Sequence, residues 1–167
     1  MSAPIQWCHE GSEMPEAKQQ IAALPLRWGA DDKVEVLMVT SRDTGRWIVP
    51  KGWTMKGVKP WAAAAIEAME EAGVKGHIAR EVFGTYTYRK KLDDGQSLPC
   101  VVRVYPMIVE KEKSDWKERK ERTRKWFSLR KAAKLVNEPG LSEMLTELSV
   151  KPKKAPVAGP MLRRAES

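Results

Sequence analysis

Three glutamates, Glu67, Glu70 and Glu71, stand at i, i+3 and i+4 in an alanine-rich stretch. Each residue of an α-helix advances by about 100°, so Glu70 lies roughly 60° to one side of Glu67 and Glu71 roughly 40° to the other. Three carboxylates then share one face. Like charges at this spacing cost a helix about 0.2–0.5 kcal/mol per pair unless something positive sits among them. Oxygen donors of this kind suit a hard divalent cation, Mg²⁺ first and Mn²⁺ second. The same spacing is also what a solvated acidic face shows, so the surrounding residues decide between the two.

Those residues supply a scaffold. Residues 46–50, Arg-Trp-Ile-Val-Pro, read as a short strand. Gly52 and Gly57 bracket a loop, Pro60 suits a first helical turn, and Gly73 suits the stop. The whole stretch resembles the signature of the Nudix hydrolases: Gly, five residues, Glu, seven residues, then Arg-Glu-apolar-any-Glu-Glu-any-Gly-apolar. Gly52, Glu67, Ala68, Glu70, Glu71, Gly73 and Val74 fall in register with it. Val58 and Ile66 stand where that signature has its first Glu and its Arg. In the family these two are expected to support the loop and helix, and the Arg to orient the carboxylates. Replacing both by apolar residues reads as a coherent rewiring, because losing only one would strand a charge.

The resemblance extends over residues 21–148. Residues 39–50 and 114–136 resemble the diphosphoinositol polyphosphate phosphohydrolase branch, which stands close to the dinucleoside polyphosphate hydrolases. It implies an α+β Nudix fold, with a mixed β-sheet sandwiched between α-helices. It also implies a metal held by Glu67, Glu70, Glu71 and the backbone carbonyl of Lys51. Glu71 is expected to be the principal ligand and to activate the attacking water, with Glu70 as the close alternative. Arg27, Arg42, Lys51, Arg122 and Arg124 are the expected substrate-binding cations, and Gly52 and Gly73 the structural glycines. Trp47, Trp61 and Trp126 are expected to pack, while Trp53 sits in the loop beside the proposed metal.

Net charge is +8, so an anionic partner is expected, with small polyphosphate ranked above nucleic acid. Cys8 and Cys100 form no ligand or redox motif, and no apolar run of membrane-spanning length occurs. A soluble, cytoplasmic protein is the expectation. Its function is expected to be hydrolysis of a phosphoanhydride in a diphosphoinositol polyphosphate or dinucleoside polyphosphate. A non-catalytic polyphosphate-binding module and an RNA 5′-pyrophosphohydrolase are the alternatives.

Periodicity and turn residues divide the chain into a flexible lead-in (1–17), one domain (18–150) and a basic, disordered tail (151–167). Strands are expected over 20–28, 34–41, 78–88, 98–110 and 124–127, with Pro25 marking an edge or bulge in the first. Residues 111–120 read as charged and exposed. Helix is expected over 129–136, with a further turn or two over 140–148.

Overall fold

Residues 21–26 form an unbroken apolar run, the pattern of a strand covered on both faces. The computed structural model, which describes residues 16–166, places them in β1 (Lys18–Trp28), with Ile21, Ala22, Ala23, Leu24 and Leu26 fully buried. Then come β2 (Val34–Thr40), β3 (Trp47–Ile48), β4 (Lys51–Trp53) and helix α1 (Pro60–Glu67), which passes into a single π-helical turn, Ala68–Ala72. The chain continues through β5 (Val74–Ile78), β6 (Gly84–Lys91), the sixteen-residue β7 (Ser97–Glu112) and β8 (Arg124–Ser128). Three helices close it: α2 (Leu129–Leu135), α3 (Pro139–Val150) and α4 (Ala158–Ala165).

The eight strands form one mixed sheet, ordered β3-β2-β1-β7-β5, with β4 on β1, β6 on β7 and β8 on β2. β1 and β7 run parallel, pairing Lys18 through Leu26 with Cys100 through Ile108. All other pairs are antiparallel. The fold is α+β, with helices on both sheet faces. On one face α1 lays Ala63 and Ala64, and the π turn Ala68 and Ala72, against Ile21, Ala23, Leu37, Val39 and Tyr105. Methyl-sized side chains allow the helix a close approach, which brings its carboxylates to the sheet end. On the other face α2, α3 and α4 cover Leu24, Leu26, Val36, Met38, Val102 and Val104.

Four expectations need correction. Pro25 marks no edge: β1 is interior, and Pro25 falls between the residues paired to β4 (20–22) and those paired to β2 (26–28). By the strand's alternation its nitrogen points to the same side as the Ala23 N–H, which bonds Pro50 O. A proline therefore costs no ladder hydrogen bond at that junction. Residues 78–88 are not one strand; β5 and β6 separately occupy successive stretches of one edge of β7. Residues 140–148 belong to a full twelve-residue helix, α3.

The fourth correction concerns the tail. Residues 152–154 make a short 3₁₀ turn and α4 follows, burying Ala158, Met161 and Leu162. The Trp28 indole N–H bonds Leu162 O at 2.9 Å, and Lys153 pairs with Glu166 at 2.9 Å. Ala158, Met161 and Leu162 sit at i, i+3 and i+4, so an amphipathic seam offsets the segment's polar composition. Residues 1–15, most of the expected lead-in, lie outside the described residues.

Candidate functional site

Glu67, at the end of α1, faces the backbone of Gly52 in β4. A Cβ at position 52 would overlap the Glu67 carboxylate, so glycine leaves that carboxylate its place beside the strand. The helix then widens into its π turn and stops at Gly73, whose φ of 67° is left-handed. Gly73 N–H bonds Met69 O at 3.0 Å, and a side chain at 73 would meet Trp116 at 2.6 Å. Single π turns recur at functional sites because they re-aim side chains relative to the preceding helix.

That re-aiming separates the three carboxylates. Glu71 is buried, with 6% of its surface exposed. Its Oε1 accepts from Lys51 N–H at 3.3 Å, and its Oε2 lies 3.5 Å from Arg122 Nη2. Glu67 and Glu71 both line a groove of about 810 Å³. Glu70 does not; it turns toward Lys117, 3.6 Å away. Glu67 and Glu71 thus open onto the groove, while Glu70 stands beside it, near enough for its charge to act on Glu67.

Burial, then the neighbouring Glu71 and Glu70 charges, push the Glu67 carboxyl up to about 7. Burial also raises Glu71, opposed chiefly by the Arg122 guanidinium. Two carboxylates held this close repel unless protonated or joined by a cation. Oxygen-only donors under mutual repulsion fit a hard divalent ion in their chemistry. Among the described residues, no three His, Cys, Asp or Glu side chains already converge as a ready-made ion cage.

The groove's other walls are basic and aromatic. Lys51, Arg42 and Arg122 line it with Arg89, Lys90 and Lys91 of β6. Among the described residues the Lys51 ammonium makes no ion pair; it lies 5.2 Å from the Tyr88 ring centre, and burial lowers its pKa. Arg42 reaches Glu121 at 2.9 Å on the rim. Trp53 is 44% exposed at the mouth, whereas Trp47 packs edge-on against Phe127 at 4.9 Å. Tyr88 donates its hydroxyl to Gln20 Oε1 at 2.6 Å, giving the floor a fixed polar pair.

Two expected substrate cations stand elsewhere. Arg27 pairs with Glu35 at 2.9 Å and stacks on Trp126 at 4.1 Å. Arg124 donates to Ala72 O and Lys113 O, both at 2.8 Å, and stacks on Trp116 at 4.0 Å. Neither lines the groove. A strand's cation faces whichever side its register dictates, and in both cases an aromatic ring already occupies that side.

Sequence reasoning also missed Glu118, placed in a stretch read as exposed. It lines the groove and accepts from Arg122 Nε at 2.6 Å. The i, i+4 spacing of Glu118 and Arg122 was the available signal. Val58, partly buried, packs against the α1-side core, while Ile66 is 37% exposed.

The fold and this helix end define a mixed-sheet α+β protein with an acidic turn facing a basic groove. The chain belongs to the Nudix family, the NUDIX domain matching residues 18–148, and is a Nudix hydrolase. It is 31% identical over 136 residues to Nudix hydrolase 16, mitochondrial, of Arabidopsis thaliana, covering 74% of this chain and 75% of that one. Diphosphoinositol polyphosphate phosphohydrolase 3-beta of Bos taurus is 32% identical over 137 residues, covering 80% and 79%. A C. elegans Ap4A hydrolase binary complex aligns with TM-score 0.60 at 21% identity, covering 80% of this chain and 96% of that one, a likeness of fold. Among the described residues no helix is long and apolar enough to cross a membrane.

Proposed function

We propose that this Nudix hydrolase is a Mg²⁺-dependent pyrophosphohydrolase cleaving a phosphoanhydride in a highly charged small molecule, a dinucleoside polyphosphate or a diphosphoinositol polyphosphate. One observation carries the reading: Glu67 and Glu71 open onto the same groove as Lys51, Arg42 and the Arg89–Lys91 run. A polyanion is held by such cations while its anhydride lies over the carboxylates.

Glu67 and Glu71, with Glu70 at the edge and the Lys51 carbonyl, would hold the divalent ion, which supplies charge neutralisation and a more acidic water. The chain's own residues orient the rest. Lys51, half-buried and in no ion pair among the described residues, offers its ammonium to a phosphate oxygen. Glu71 is placed to accept a proton from the attacking water, since its carboxylate is fixed from both sides. Arg42 can exchange its exposed Glu121 for substrate at little cost, because rim ion pairs contribute roughly 0–1 kcal/mol.

Purified protein incubated with Mg²⁺ and a panel of nucleotide, dinucleotide and inositol anhydrides, with products identified by mass, tests this. Cleavage of at least one polyphosphate, abolished by EDTA and restored by Mg²⁺, is the expected result. Binding of these anhydrides by calorimetry without cleavage in Mg²⁺ or Mn²⁺ would replace the enzyme by a polyphosphate-binding module. That second reading draws on Val58 and Ile66 in the signature and on the lack, among the described residues, of a preformed three-ligand cage.

A further inference from the structure

The connection from β7 to β8, residues 113–123, lies against the π turn that carries Glu70 and Glu71, and holds it at several points. The Trp116 indole N–H donates to Glu71 O at 3.1 Å. Glu118 N–H donates to Glu70 O at 3.0 Å, and Lys117 reaches the Glu70 carboxylate. Lys113 N–H bonds Gly73 O at 2.8 Å. These bonds occupy carbonyls that the end of a helix leaves without intrahelical partners.

Arg122 anchors the far end of this connection. All three guanidinium nitrogens are committed: Nε to Glu118 at 2.6 Å, Nη1 to Thr40 O at 3.0 Å, and Nη2 beside Glu71 at 3.5 Å. Its side chain is only 6% exposed. Of its five N–H donors, one bonds Glu118 and one Thr40 O while Nη2 faces Glu71, so drawing the guanidinium out to a phosphate would loosen buried contacts. The exposed Ile66 on the helix has no charge with which to orient a carboxylate.

We propose that Arg122 is a positioning residue, not a substrate-binding one: with Trp116 and Glu118 it clamps the π turn from outside and fixes the Glu71 carboxylate, a task that Ile66 leaves vacant on the helix itself. The inference rests on the proposed hydrolase reading for its kinetic arm only. The turn's geometry is then set by a segment about fifty residues downstream in sequence. Substrate grip falls to Lys51, Arg42 and the β6 cations.

The test compares wild type with Arg122→Gln, Arg122→Lys and Trp116→Phe on whichever anhydride wild type cleaves, with amide hydrogen exchange of residues 68–73 measured in parallel without substrate. A lost positioning contact lowers kcat and leaves KM in place, whereas a lost substrate contact raises KM. Arg122→Gln is expected to lower kcat by about tenfold or more with KM within about twofold, and Arg122→Lys to recover part of the loss. Exchange at 68–73 should quicken in Arg122→Gln and, to a smaller extent, in Trp116→Phe. A raised KM with unchanged kcat would overturn the proposal, as would unaltered exchange in both variants. Should Arg122→Gln fail to fold, Trp116→Phe carries the same two readouts. If wild type cleaves nothing, the hydrolase reading fails alone, and exchange still decides whether the clamp exists.

Discussion

Gly52 and Glu67 meet where β4 passes the end of α1, and the Glu67 carboxylate fills the space that a Cβ on residue 52 would need. The contact is between a backbone and the far end of a flexible side chain, so the two residues share one small volume without strain. Gly52→Ala should fold normally, because the carboxylate can swing away. It swings out of register with Glu71, however. Displacing a reacting group by about 1 Å can cost on the order of a hundredfold, so kcat should fall by at least about tenfold with Tm nearly unchanged. Steady-state kinetics beside a thermal melt separate the two effects; a variant with wild-type kcat would remove Glu67 from the site.

Glu71 is fixed by Lys51 N–H on one oxygen and by Arg122 on the other. Glu71→Gln keeps shape and the first bond, but turns an amide toward the guanidinium and removes the charge. Turnover with Mg²⁺ should fall by at least about a hundredfold, given the loss of both metal and base chemistry. Turnover equal to wild type would sink the assignment of the carboxylates.

The acidic spacing and the Ala-rich helix were legible because their code is local: small residues for close packing, charges three and four apart, glycine where the chain must turn. The π turn was not legible. Its wider winding depends on which partners its carbonyls find, and Trp116 and Glu118 come from another part of the chain. That Arg27 and Arg124 stand outside the groove was not legible for the same reason. Their charge is written in the sequence, but the rings of Trp126 and Trp116 that cover them are brought there only by sheet register. The tail was different: composition suggested disorder, while the seam of Ala158, Met161 and Leu162 was there to be read.

The raised Glu67 carboxyl, about 7 against an ordinary 4.5, gives a pH signature. Between those values the folded protein binds more protons than the unfolded chain, so stability declines as pH rises through this window and levels off above it. A divalent cation relieves the repulsion from Glu71 and should flatten the decline. Melting curves from pH 5 to 8 in EDTA and in excess Mg²⁺ provide the check. Glu67→Gln should lose most of Glu67's share of the decline in EDTA, leaving the smaller part that the raised Glu71 contributes, and should gain stability over wild type most at pH 8. Identical pH profiles for wild type and Glu67→Gln in EDTA would show that Glu67 titrates as an ordinary carboxylate.

Because α4 is part of the core, removing the basic tail is no neutral probe of RNA or polyphosphate binding. Leu162 is fully buried, packed with the residues beneath α2 and α3, and its carbonyl holds the Trp28 indole. Leu162→Ala should cost about 2–5 kcal/mol through lost burial and the cavity left behind. In a chain of this size that lowers Tm by roughly 4–20 °C. KM for the anhydride should stay put at a temperature where the variant is folded, since α4 covers the sheet face away from α1. A point change at Arg164, exposed beyond the buried seam, then isolates the tail's charge from its structural work, whereas Arg163 donates to Lys153 O. A Leu162→Ala variant as stable as wild type would return residues 151–166 to the status of a loosely held tail.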